Sequence, residues 1–80
     1  MSRGVKRELS PAQLDALAAW WLSKRHIGRA AALLGKQRQT IANTLNIVRR
    51  LEDATDTVEV ALNHMDEIQA RRAYVLDRAA

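Results

Sequence analysis

Cysteine is absent from the 80 residues, so neither a disulfide framework nor a thiolate-held zinc ion can support the fold. Phenylalanine is absent as well, and two Trp and one Tyr are all the aromatic residues there are. A core must then be made largely of small and aliphatic side chains, and the abundance of Ala makes that a helical composition. One Pro and three isolated Gly leave no Gly-rich loop to cradle a phosphate. The apolar run at 16–22 is far too short to span a bilayer, and no apolar stretch beside the Met-Ser-Arg-Gly start makes a signal peptide. The expectation is a soluble cytoplasmic protein.

Nearly half of the residues are apolar, which argues against disorder. A chain of this length buries only about 60% of the surface it exposes when unfolded, so partner chains are expected. The net charge of +4 is unevenly spread. Residues 1–51 hold ten Lys/Arg against two Asp/Glu, and residues 52–80 hold three against seven, so the halves carry +8 and −4. A concentrated basic half favours a polyanionic partner, nucleic acid before membrane.

Residues 1–8, with Arg3, Lys6 and Arg7, show no periodicity and read as a flexible basic arm. Ser10, Pro11 and Gln13 then spell the cap, first position and capping-box partner of a helix, with Leu9 and Leu14 as its staple. Leu14, Leu17, Ala18, Trp21 and Leu22 give it one apolar face, with Trp20 beside that face. A second helix is expected from about His26 to Leu34, turned inward through Ile27, Ala30, Ala31 and Leu34 and ended by Gly35. A third runs from about Gln37 to Leu51 on Ile41, Leu45 and Val48. After a break at 52–56, Asp56 and Glu59 open a fourth helix. Its seam of Val58, Ala61, Met65, Ile68, Arg72, Val75 and Ala79 repeats every seven residues, with Leu62 and Leu76 alongside. A helix over 56–79 would be roughly 36 Å long, more than a three-helix core needs, so Val58, Ala61, Leu62, Met65, Ile68, Val75 and Leu76 are expected to form a homodimer interface.

Two helices joined by a short Gly-containing turn make a helix-turn-helix. Its twenty-residue core asks for a small fifth residue, Gly at the ninth and a branched apolar fifteenth. Counted from Ile27, those places hold Ala31, Gly35 and Ile41. On the third helix, the side opposite Ile41, Leu45 and Val48 carries Gln39, Asn43, Asn46 and Arg50, and no Asp or Glu occurs from 29 to 50. An ordinary solvated helix would use acidic residues for pairing, whereas amides and Arg suit base edges in a major groove.

The stretch "RAAALLG" followed by "TI" and "RRLE" resembles the amino-terminal DNA-binding part of LysR-type regulators over residues 9–52. It departs from that pattern in Lys36, in Gln37 and in about one extra turn before "RRLE"; a dimerising fourth helix is instead similar to LuxR-type domains. The resemblance implies that residues 37–46 face base edges and that the second helix meets the DNA backbone.

The expected protein is therefore all-α: a helix-turn-helix DNA-binding domain at 9–51 and a long dimerisation helix at 56–79. It would be a stand-alone dimeric repressor that reads an inverted repeat in double-stranded DNA and lies on the nucleoid when bound. Base-reading residues would be Gln37, Arg38, Gln39, Asn43 and Asn46. Backbone contacts would come from Lys24, Arg25, Arg29, Lys36, Thr40, Arg49 and Arg50. His26 and His64 lie far apart without metal-ligand spacing, and Asp66-Glu67 reads as surface charge, so no enzyme, metal or cofactor is expected. Two alternatives stay open. One is an interaction module whose acidic C-terminal helix binds a larger protein partner; the other places Trp20, Trp21 and the arm on an anionic membrane surface.

Overall fold

Ser10 opens the first helix as its sequence requires: its hydroxyl accepts from the Gln13 amide at 3.2 Å, while Gln13 Oε1 accepts from the Ser10 amide at 2.9 Å. The computed structural model describes residues 6–77, and every regular element among them is helical. They are α1 (Pro11–Leu22), α2 (Ile27–Leu34), α3 (Arg38–Leu51), α4 (Thr57–Asn63), α5 (Met65–Ala70) and α6 (Arg72–Asp77). None is long and apolar enough to cross a membrane.

The architecture is arranged around α1. Five consecutive residues, Ala16, Leu17, Ala18, Ala19 and Trp20, are buried, because α2 and α3 cover one side of this helix and α5 and α6 another. A helix apolar all round is one surrounded by its own protein. The expectation of a single apolar face is corrected accordingly: Trp20 belongs to the core, while Trp21 and Leu22 are only half-buried. Runs of Ala on α1 and α2 let backbones approach closely, so a core with few aromatics still closes.

Helices α1, α2 and α3 end in one way. An amide two or three residues past the end of each helix bonds back five positions: Arg25 to Trp20 O, Lys36 to Ala31 O and Ala54 to Arg49 O, at 2.8–3.0 Å. This closure needs a left-handed residue. Gly35 (φ 64) supplies it after α2, whereas Lys24 and Arg25 (φ 57 and 63) and Asp53 (φ 50) adopt it without that freedom.

The single helix expected over 56–79 is, through residue 77, three short ones; Ala79 lies outside the described residues. Asp56 caps the first by accepting from the Glu59 amide at 2.9 Å, and the Glu59 carboxylate accepts from the Thr55 amide at 2.8 Å. Breaks fall at His64 and Arg71, and the side chains of both reach back to other elements. His64 turns inward to Glu52 at the end of α3 and to Glu67; Arg71 pairs with Asp15 of α1 and lies over the Tyr74 ring. The breaks let α4, α5 and α6 each pack against α1. Ala61, Ile68 and Val75, expected to face a second copy, consequently lie wholly inside the chain's own core.

Candidate nucleic-acid interface

A short turn through Gly35 joins α2 to α3. Ala31 is buried where the helices cross, Gly35 takes the left-handed turn, and Ile41, Leu45 and Val48 seat α3 on the core. The α2 N-terminus is capped by a residue outside the helix: His26 Nδ1 accepts from the Arg29 amide at 3.1 Å, so its ring proton sits on Nε2. Gly28 makes room for that ring, since a Cβ there would meet His26 Cε1 at 3.1 Å.

With its apolar side pinned, α3 presents Gln39, Asn43, Asn46 and Arg50 outward, all exposed. Gln37, at the N-cap, and Arg38 are exposed beside them. The ridge is internally ordered. Gln39 Nε2–H donates to Asn43 Oδ1 at 2.9 Å, which leaves the Gln39 carbonyl oxygen and the Asn43 amide hydrogens free. Each of these side-chain amides carries the acceptor and donor that match the N6–H and N7 of adenine in the major groove. One turn on, an Arg49 Nη donates to Asn46 Oδ1 at 3.0 Å and the other to Ala54 O at 3.3 Å. Arg49 is thus half-buried and shared with the helix end rather than free for a phosphate.

Lys24, Arg25, Arg29, Lys36 and Arg50 are all exposed; Lys24 and Arg25 project from the left-handed turn after α1, and Arg25 lies 5.9 Å above the Trp21 ring. Lys36 and Thr40 line a groove of about 260 Å³ between α1 and α3, floored by Ala16, Leu34 and Ile41. A second, open cleft beside the ridge is lined by Ile27, Arg38, Gln39 and Ala42. No family model, curated protein or solved structure matches the chain. The geometry of the site therefore carries the functional argument by itself.

Three features were missed in the sequence. Ile47 and Leu51, one turn apart on α3, are about half exposed along the border of the amide ridge. Their angular positions alone, next to Asn43 and Thr40, would have revealed that. Lys6 and Arg7, read as part of a flexible arm, are tied down: Lys6 Nζ pairs with Glu67 at 2.8 Å and the Arg7 amide donates to Glu52 at 3.0 Å. Arg3 lies outside the described residues. Glu67, read as surface charge, is held below the usual carboxylate range chiefly by its hydrogen bond from Lys6 and further by His64, against burial; Lys6 is raised in turn by Glu67. No sequence signal marks these pairings, which join residues up to 61 positions apart in the chain. Of the expected interface positions on α4 to α6, Leu62 and Leu76 are exposed, while Val58 and Met65 are half-buried.

Proposed function

We propose that this chain is a sequence-specific DNA-binding transcriptional regulator that reads a major groove with α3. The observation that carries the reading is the outward ridge of Gln39, Asn43, Asn46 and Arg50, ordered by its own hydrogen bonds and free of any acidic residue from 29 to 50. Base discrimination falls to the Gln39–Asn43 pair, with Gln37, Arg38 and Asn46 at its sides. The Ile27–Ala42 cleft beside Arg38 and Gln39 suits the methyl group of thymine, the apolar feature of that groove. Lys24, Arg25, Arg29, Lys36 and Arg50, with Thr40, supply phosphate contacts that fix register.

The dimer follows as a narrower proposal. With Ala61, Ile68 and Val75 in the core, a second copy would meet Leu62, Met65 and Leu76, and a two-fold pair of α3 helices would read an inverted repeat. Such a protein regulates most simply by occupying a promoter as a repressor. Selection from a random duplex library tests both parts: an enriched inverted repeat is expected, an enriched single half-site would remove the dimer, and an unenriched pool would remove specific reading.

A second reading is favoured by exposed Leu62, Tyr74 and Leu76 on the acidic half, which suit docking onto a larger protein. DNA affinity staying at the nonspecific level, roughly 10⁻⁴ to 10⁻⁶ M, would support it. Membrane attachment through a Trp pair loses its basis, because Trp20 is buried.

A further inference from the structure

His64 is fully buried, and each of its ring nitrogens faces a carboxylate oxygen: Nε2 that of Glu52, itself fully buried, and Nδ1 that of Glu67 at 2.9 Å. Both oxygens are shared with the N-terminal segment. The Arg7 amide donates to the same Glu52 Oε2 at 3.0 Å, and Lys6 Nζ donates to the same Glu67 Oε1 at 2.8 Å. Asn63 Nδ2 donates to the remaining oxygen of Glu52 at 3.4 Å.

We propose that Glu52, His64 and Glu67 form a proton-operated clasp that fastens residues 6–7 across the C-terminal end of α3 and the α4–α5 break, independently of whether the chain reads DNA. The argument is an inventory of donors. A neutral imidazole has one N–H and one lone pair, so it can donate to only one of two carboxylates. With both carboxylates acting only as acceptors, both contacts are satisfied together only when the ring carries two protons. Loss of one sets a lone pair against a carboxylate oxygen, a repulsive contact that drives the two apart. Since Arg7 and Lys6 hang on the same two oxygens, either movement loosens the segment.

No other group takes over the role. Asp15, the one titratable residue on α1, pairs with Arg71; Glu59 on α4 accepts from the Thr55 amide; Asp66 acts on Lys6 through charge alone. Glu67 is held below its ordinary value by its hydrogen bond from Lys6 and further by His64, so the proton on which the clasp depends is that of the ring, and the clasp opens when the ring gives it up. Opening frees Lys6 and Arg7.

The full chain labelled with ¹⁵N tests this by NMR. Across the pH range in which the His64 ring nitrogens titrate, the Arg7 amide should lose protection about tenfold beyond the ordinary base-catalysed rise. The Ala30 amide, bonded to His26 O at 3.0 Å, should keep its protection. His64→Gln should abolish the step; should that variant not fold, the wild-type titration decides alone, with exposed His26 as the control for a histidine outside the clasp. Arg7 protection unchanged through the titration, or a singly protonated His64 ring while Arg7 remains protected, would overturn the proposal.

Discussion

Gly35 shows how one residue holds two helices in register. A Cβ added there would meet nothing within 4 Å, so replacement costs conformational energy rather than packing. Gly35→Ala should therefore lower stability by about 1 kcal/mol, measured by urea unfolding with an unchanged m value. Asp53 gives the converse case, since it holds φ 50 without glycine's freedom. On the reading face, Asn43 is hydrogen-bonded to Gln39, and its amide carries the acceptor and donor that match adenine. Asn43→Ala should cost about 1 to 3 kcal/mol on the preferred DNA and little on unrelated sequences, compared by fluorescence anisotropy at one salt concentration. Equal loss on every sequence would assign Asn43 to general affinity instead.

At the scale of elements, legibility depended on whether a helix had one neighbour or several. Helices α2 and α3 have an inside and an outside, so Ala30, Ala31, Leu34, Ile41, Leu45 and Val48 announced their burial by spacing alone. The exposed ridge followed as their complement. Helix α1 is covered on more than one side, and no periodicity could distinguish Trp20 from Trp21. The seven-residue repeat after Val58 was real but ambiguous: Ala61, Ile68 and Val75 are the stripe that meets the chain's own α1 side, and the breaks at His64 and Arg71 depend on distant Glu52 and Asp15. The distinction is measurable. Leu62→Asp with Leu76→Asp should leave helicity intact and, if the outer residues hold a dimer, lower the sedimentation coefficient to that of one chain. Ile68→Asp should instead unfold the protein, since an unpaired charge in the core costs roughly 4 kcal/mol or more of a stability that is about 4–12 kcal/mol in a chain of this size.

For the whole molecule, the uneven charge has two uses. Across the halves it fastens the chain to itself, as in Lys6 with Glu67 and Asp15 with Arg71. A carboxylate depressed in the folded state contributes stability that is present above its unfolded value, about 4.3 for Glu, and is lost as pH falls through the folded one. Lys6→Ala removes the largest cause of the Glu67 depression, so Tm above about pH 5 should drop and the acid loss should be smaller and finish at higher pH, the two curves converging at the acid end. Lys24, Arg25, Arg29, Lys36, Arg38 and Arg50 are exposed, and none of them enters an ion pair among the described residues. If those cations neutralise phosphates, binding must weaken with salt in proportion to their number, because each contact releases a condensed counterion. Arg50 is exposed and no ion pair engages it among the described residues, so Arg50→Ala should reduce the slope of log K against log salt by about 1 on every DNA sequence. Arg49, already donating to Asn46 and to Ala54 O, should change the slope less when replaced and the sequence preference more. Titrations at several salt concentrations separate the two variants; identical slopes for Arg50→Ala and the wild type would mean that this side of α3 does not approach a phosphate.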